Sequence, residues 1–181
     1  MMVKTLLSAE DLYQMSDIGL AELVRGELVK MTPSGGEHGK LTIKIGARLL
    51  GFVEPRNLGQ VFGAETGVFT GRDPDTVRAV DAMYISNERL AKVSDLSKFV
   101  DVAPDLIVEV VSPTDRWSEL EEKMAEYLGI GVRLVWVINP KTRSVHVYRP
   151  SSEVDRLRES DALGGEDVLP GFRLAVKELF E

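Results

Sequence analysis

An acidic residue stands in the middle of the most apolar stretch of the chain. Glu109 lies in the segment 105–111, DLIVEVV, between Pro104 and Pro113. A run of apolar and β-branched residues of this length predicts a strand that is covered on both faces. An ionised carboxylate in such a strand is costly to bury unless a cation or hydrogen-bond donors meet it, so Glu109 is a candidate for chemistry. The alternatives are that Glu109 lies near the strand's end in contact with water, or that it pairs with an arginine.

Two further residues could act together with this carboxylate. Asp81 lies in the predicted strand that precedes the one containing Glu109. Two acids on neighbouring strands, directed at one end of a sheet, form an oxygen-rich site for a hard cation such as Mg²⁺. Lys123 lies on the flank of the following predicted helix, where its stem can cover the sheet and its ammonium can approach the carboxylates. Alternatively, Asp81 simply begins a strand after a turn, and Lys123 is a surface residue paired with Glu119.

The elements that must position these residues follow from periodicity and turn signals. In the first half they are a short helix from Ser8 to about Met15, a β-hairpin over 20–31 that turns at Arg25–Gly26, a helix over 37–54, strands over 60–69 and 77–85, and a short helix through Lys92. In the second half they are the strand around Glu109, a helix opened by a capping box at Ser118–Glu121, a strand over 132–138 with a hairpin partner over 144–148, and small strands before a closing segment over 174–180. The segment 37–54 also alternates as a strand would, but its length favours a helix. This order predicts a single domain over 1–181 of mixed α/β or α+β class.

Composition limits the classes of protein that remain. The chain has 181 residues and no cysteine, which excludes disulfides and thiolate metal sites. The segment 1–7 is too short and too weakly charged for a signal peptide, and no apolar run approaches the roughly 20 residues of a membrane helix. We therefore expect a cytoplasmic protein without a membrane segment.

The net charge of −7 bears on the choice of partner. Nucleic-acid binders usually present a basic face, so this balance argues against strong, non-specific binding of nucleic acid. It does not exclude an enzyme whose carboxylates hold Mg²⁺, since the ions then supply the local positive charge.

Several motifs resemble one known family over nearly the whole chain. They are ELVRGELV at 22–29, TPSGGEH at 32–38, Asp81 with its apolar neighbours, APDLIVEVVSPTD at 103–115, EKMAEYL at 122–128, GVRLVWVINP at 131–140 and LPGF at 169–172. In this order they resemble the Uma-type family of putative restriction endonucleases, a bacterial group within the PD-(D/E)XK nuclease superfamily.

The resemblance implies a restriction-endonuclease-like core, a central mixed sheet flanked by helices, with an N-terminal β-hairpin and C-terminal hairpin additions. It implies that Asp81 and Glu109 bind Mg²⁺, with Mn²⁺ as a possible substitute, and that the main-chain carbonyl of Val110 is a further ligand. Glu37, at the start of the first long helix, matches an acid that many superfamily members place there, so the resemblance makes it a further metal ligand. A helix N-terminal acid favoured by the helix dipole is the alternative for Glu37.

The chain departs from the superfamily pattern at two positions. Val80 stands before Asp81 where a proline is usual, which affects the turn more than the chemistry. Val111 replaces the lysine expected two residues after Glu109. Lys123 is then the expected substitute, because superfamily members can supply this lysine from the following helix.

The remaining notable side chains have simpler interpretations. Glu22 and Glu27 match the family but can serve the hairpin alone, and His38 fits its motif although a histidine beside a glycine loop is more often structural or exposed. His146 is assigned no role, and Trp117 and Trp136 are expected in or at the edge of the core.

The leading hypothesis from the sequence is a Mg²⁺-dependent endonuclease that hydrolyses DNA, with Asp81, Glu109 and Lys123 as its catalytic residues. An alternative is a catalytically weak or inactive relative that serves as a binding or regulatory module. Hydrolysis of RNA or of a small nucleotide is a third possibility. We also expect a homodimer, because cutting both strands of a duplex with one site per chain is simplest with a two-fold pair.

Overall fold

The computed structural model describes residues 6–150 and 152–181 of the chain. Over these residues the helices are α1 (Ala9–Gln14), α2 (Gly36–Val53), α3 (Asn87–Leu90), α4 (Trp117–Gly129) and α5 (Lys177–Phe180). The strands are β1 (Ala21–Val24), β2 (Glu27–Lys30), β3 (Gly59–Gly71), β4 (Thr76–Ser86), β5 (Leu106–Val110), β6 (Leu134–Asn139), β7 (Ser144–Tyr148), β8 (Asp155–Leu157), β9 (Ala162–Gly164) and β10 (Arg173–Ala175). Most of the segment that bears on a signal peptide lies outside the described residues. Within them, none of the helices combines the length and apolar character needed to cross a membrane.

Eight strands form one mixed sheet. The order is β2-β1-β4-β5-β6-β7-β8, and β3 pairs with β4 beside this path. β5 and β6 run parallel, as expected for strands joined by a helix, whereas the other pairs are antiparallel. β9 and β10 form a separate two-stranded sheet. The predicted fold class, a mixed sheet with an N-terminal hairpin and C-terminal additions, is confirmed.

Helices cover both faces of this sheet. α2 buries Leu41, Ile45 and Leu49 in a cluster that includes Val108 of β5. α4 buries Met124 and Tyr127 in a second cluster on the other side of the sheet. The helical stripe in 37–54 therefore prevails over its strand-like alternation, because a helix of 18 residues can bury one continuous apolar face.

One edge of β4 is divided between two partner strands. β3 occupies the opposite edge from Gly59↔Ser86 to Gly71↔Thr76. On the remaining edge, β1 pairs at Leu23↔Val77 and β5 pairs from Ala82↔Val108 to Tyr84↔Leu106. Since a strand has only two edges, residues 78–81 face an opening between β1 and β5, which we call the β4 gap.

One of the two predicted helix capping boxes is present in the structure. The Ser8 capping box at the start of α1 is confirmed. The capping box predicted at Ser118 is wrong, because α4 already begins at Trp117, its N-cap residue is Arg116, and Ser118 lies inside the helix. Trp117 lies edge-on against His146 with ring centroids 5.0 Å apart, a contact that holds the first residue of α4 against β7.

Candidate active site

Asp81 and Glu109 lie where β4 and β5 separate. The ladder between these strands ends at Ala82↔Val108, and the next residues in the same register are Asp81 and Glu109. Both are buried, with 7% and 6% of their surface exposed. Asp81 Oδ2 accepts a hydrogen bond of 2.7 Å from the backbone N–H of Val110, so a side chain takes the place of the missing ladder bond.

A histidine of α2 also contacts Asp81. His38, in the first turn of α2, is buried and places Nε2 3.2 Å from Asp81 Oδ2. Its Nδ1 lies 3.5 Å from the hydroxyl of Thr42. The hydrogen bond with Asp81 raises the pKa of His38 above its usual value, against the opposing effect of burial. His38 therefore lies at the candidate site, although the sequence predicted a structural or exposed histidine there.

The structure does not bring Glu37 to this site. One residue along a helix turns the side chain by about 100°, so Glu37 is exposed while His38 faces the sheet. The pKa of Arg143, in the turn after β6, is raised mainly by its hydrogen bonds with Glu159, and the charge of Glu37 adds to that shift. In the structure Glu37 is an exposed acid at the helix N-terminus, and its expected role as a metal ligand stays a prediction. Val110 contributes its N–H to Asp81, and the expected role of its carbonyl stays a prediction.

Glu109 is held by a tyrosine from α4. The hydroxyl of Tyr127 donates a hydrogen bond of 2.5 Å to Glu109 Oε1. Burial raises the pKa of Glu109 to about 7, the charge of Lys123 opposes this shift, and the charge of Asp81 adds to it. Glu109 is buried, and no ion pair with an arginine forms among the described residues, so neither alternative interpretation from the sequence describes it.

Lys123 is directed into the interior, but its partner is not the expected one. Its Nζ donates to Glu22 Oε1 at 2.8 Å, and 19% of its side chain is exposed. Glu119 lies 3.8 Å from Arg116 instead, so the surface pairing considered for the lysine is absent. Burial disfavours the ammonium of Lys123, but the charges of Glu109 and Glu22 outweigh it and raise the pKa of Lys123 above its usual value.

A chain of buried charges connects β1, β4 and α4 across the β4 gap. Glu22 Oε2 accepts from Arg78 Nη1 at 3.0 Å, and Glu22 Oε1 accepts from the N–H of Ala79 at 3.2 Å. Arg78 also donates to both oxygens of Glu126, at 2.8 and 2.7 Å. Here too a side-chain carboxylate replaces a strand partner at the edge of β4. Glu22 therefore does more than serve its hairpin, which was its simpler interpretation.

The charges of this network balance one another. Two carboxylates, Glu22 and Glu126, face two cations, Arg78 and Lys123. Asp81 and Glu109 are left without a Lys or Arg within ion-pair distance among the described residues, and the partner of Asp81 is His38, which carries a charge only when it is protonated. Two buried carboxylates with so little compensation favour the binding of a cation.

A distortion of β3, on the other edge of β4, brings another acid into the electrostatic surroundings of Asp81. The β3–β4 register shifts between Gly63 and Thr66, and the two intervening residues, Ala64 and Glu65, adopt φ values of 57° and 63°. Such left-handed conformations are uncommon outside glycine. Glu65 is half-buried, and burial followed by the charge of Asp81 raises its pKa. No local signal in the sequence marked this residue.

The donor set is compatible with a cation that keeps part of its water shell. Within the described residues no three His, Cys, Asp or Glu side chains are arranged to hold a metal ion by themselves. However, one oxygen of Asp81 and one of Glu109 remain without a hydrogen bond from the described chain. Mg²⁺ usually keeps several waters and is bound through one or two carboxylates, so this pair fits it in chemistry and number.

Comparisons with known proteins agree with the fold and with the family resemblance. The model of the family Uma2, described as putative restriction endonuclease, matches residues 9–177. The chain is similar to a crystal structure of a putative nuclease belonging to DUF820 from Anabaena variabilis ATCC 29413, with a TM-score of 0.81 and 18% identity. The similarity covers 96% of this chain and 97% of that chain. No curated protein matches the sequence.

Proposed function

This chain belongs to the Uma2 family of putative restriction endonucleases, and we propose that it is a metal-dependent endonuclease that hydrolyses phosphodiester bonds in DNA. Asp81 and Glu109 would hold Mg²⁺, or Mn²⁺ in its place, and Lys123 would be the third catalytic residue. The observation that carries the proposal is the buried pair Asp81 and Glu109, left uncompensated next to a lysine whose own charge Glu22 already balances.

The protein groups around the pair have distinct roles in this proposal. A bound Mg²⁺ would lower the pKa of a water and stabilise charge on the phosphate. The N–H of Val110 and the ring of His38 hold Asp81, and Tyr127 holds Glu109, so each carboxylate keeps a free oxygen in a fixed direction. The ammonium of Lys123 can orient the attacking water and offset negative charge on the phosphate.

The acidic balance of the chain agrees with a substrate held through bound cations rather than through a basic surface. With a formal charge of −7, strong non-specific attraction to DNA is not expected. Affinity should therefore depend on the divalent ion. A cytoplasmic location and a homodimer stay predictions.

Cleavage of supercoiled plasmid tests the proposal. Wild-type protein should nick or linearise the plasmid with Mg²⁺ or Mn²⁺ and not with EDTA, and Asp81→Ala should abolish the reaction. Glu119→Gln, an exposed acid on the outer side of α4, is the matched control and should cut as the wild type does. Equal cleavage by Asp81→Ala and wild type would overturn the assignment of the site.

A second candidate function is a binding or regulatory module without cleavage. The absence of a three-residue metal group among the described residues and the Val111 substitution favour it. Wild-type protein that leaves the plasmid intact with either ion, but retards it in a gel, would support this alternative.

A further inference from the structure

The ammonium of Lys123 is held off the carboxylate that it is expected to serve. Among the described residues, Glu22 is its one hydrogen-bond partner, at 2.8 Å. Lys123 and Glu109 make no ion pair within 4.0 Å, although the charge of Lys123 lowers the pKa of Glu109 and the charge of Glu109 raises the pKa of Lys123. The lysine therefore lies close to Glu109 without occupying its free oxygen.

The contacts of Glu22 fix the position of the Lys123 ammonium. Its side chain is 4% exposed, and three donors from two elements fix it: Lys123 on α4, and Arg78 and the backbone N–H of Ala79 on β4. A lysine stem has four rotatable carbons, so without such an anchor the ammonium would move to solvent or onto Glu109. A direct Lys123–Glu109 pair would fill the place that a cation or a phosphate must enter.

Arg78 and Glu126 extend the anchor to the helix that carries the lysine. Glu126 lies one turn after Lys123 on the same side of α4 and receives two hydrogen bonds from Arg78 and one of 3.0 Å from the hydroxyl of Thr70. The network thus fixes both the helix and the end of the lysine relative to β4.

We propose that Glu22 is a positioning residue, which holds the ammonium of Lys123 beside the Asp81–Glu109 pair while leaving that pair open. This inference rests on the proposed nuclease function. Glu22 itself touches neither carboxylate, so it acts through Lys123 and is not a catalytic residue.

The test compares two carboxamide substitutions that each remove one contact between the β1–β2 hairpin and α4. Glu22→Gln removes the charge that holds Lys123. Glu122→Gln removes the ion pair of Glu122 with Arg25, which has the same length of 2.8 Å and lies next to Lys123 in sequence, but is exposed. We expect Glu22→Gln to lower kcat for plasmid cleavage at least tenfold with little change in KM, and Glu122→Gln to leave both constants unchanged.

A double-variant cycle separates positioning from general destabilisation. If Glu22 acts through Lys123, Glu22→Gln should have little further effect on kcat in a Lys123→Ala background. The inference would be overturned if Glu22→Gln lowered kcat by the same factor in the wild-type and Lys123→Ala backgrounds. It would also be overturned if the Glu22→Gln enzyme cleaved as fast as Glu122→Gln. A wild-type protein that does not cleave the plasmid would also overturn the inference. That outcome would show that the proposed nuclease function itself is wrong, because it is seen without any variant.

A spectroscopic readout keeps the inference testable if Glu22→Gln does not fold. In wild-type protein labelled with ¹⁵N-lysine, the ammonium protons of Lys123 should exchange slowly and give a signal near neutral pH. Exposed lysines such as Lys92 should not. The signal is assigned by its loss in Lys123→Ala and should persist in Glu122→Gln. A wild-type spectrum without any protected ammonium would contradict the Glu22–Lys123 contact itself.

Discussion

Glu109 is a carboxyl group whose ionisation is opposed by its surroundings. Burial raises its pKa to about 7 from an ordinary value of 4.5. Because the pKa in the folded state is raised, the folded protein favours the protonated form. Stability from this group is therefore present below about pH 4.5 and is lost as the pH rises through about 7.

Glu109→Gln should consequently stabilise the metal-free protein at high pH. The amide keeps an acceptor for Tyr127 and removes the buried charge, so the gain should approach at most about 3 kcal/mol at pH 8 and vanish near pH 4. Urea unfolding in EDTA at the two pH values measures the difference in unfolding free energy. Glu119→Gln on the exposed side of α4 is the control, and a Glu109→Gln protein less stable than wild type at pH 8 would contradict this account.

Lys123 makes a different prediction, since it would serve the reaction rather than the ion. Lys123→Ala should lower the cleavage rate roughly 100-fold, within the range for a lost general acid or base. Mg²⁺ affinity should stay the same or improve, because a nearby ammonium repels the ion. Cleavage rates at saturating metal, together with metal titrations, check both parts. A variant that cuts at the wild-type rate would show that the lysine has no part in catalysis.

The sequence predicted a site residue only where its neighbours in the chain made that residue unusual. Glu109 stood out because a charge in an apolar strand is anomalous, and the structure buries it. His38 did not, because a histidine beside glycines carries no sign of which way the helix turns it. The choice between Glu37 and His38 depends on the phase of α2 relative to the sheet, and one residue of phase exchanges them.

At the scale of elements, the buried charges of the β4 gap attach α4 to the sheet. Arg78 lies between Glu22 and Glu126, and its side chain is 8% exposed. Arg78→Met should leave the buried Glu22 and the partly buried Glu126 with a single cation and cost roughly 3–5 kcal/mol of unfolding free energy.

The control for this prediction is a solvent-exposed ion pair between the β1–β2 turn and α4. Arg25→Met removes the exposed pair with Glu122 and should cost less than about 1 kcal/mol. Denaturant unfolding of both variants compares the costs. Equal costs would mean that the gap network contributes no more than a surface ion pair.

The gap itself was beyond sequence reasoning. Periodicity identified β1, β4 and β5 correctly as strands, but which edge of β4 each would occupy depends on pairing between residues 54 positions apart in the case of Leu23 and Val77. The bulge at Glu65 was missed for a similar reason, since Ala64 and Glu65 carry none of the glycine or asparagine preference of a left-handed turn. Long-range register, rather than local propensity, brings Glu22, Arg78 and Lys123 together.

At the scale of the whole molecule, the expected assembly is a two-fold pair. A duplex has two strands of opposite direction, and one site per chain cuts both most simply in a symmetric dimer. Light scattering should therefore give twice the chain mass of 20.0 kDa. A monomer at high concentration would instead favour nicking of single strands.

The overall architecture was the part that sequence predicted best. Each helix and strand is predicted from apolar runs and turn signals that involve many residues. An error of one or two positions in an element's boundary, as at Ser118, therefore leaves the fold class and the order of elements unchanged. The site depends on a few contacts between distant segments, and each of them can be displaced by a single residue of register.

Thermal melts with EDTA and with excess Mg²⁺ measure whether Asp81 and Glu109 form a cation site. At 100 times its Kd, Mg²⁺ should raise the wild-type Tm by roughly 5–10 °C. It should affect Glu109→Gln and Asp81→Asn much less, and Glu109→Gln should melt no lower than wild type in EDTA. Wild-type and variant melting temperatures that ignore Mg²⁺, with both variants less stable than wild type, would show that the two carboxylates are structural and hold no metal.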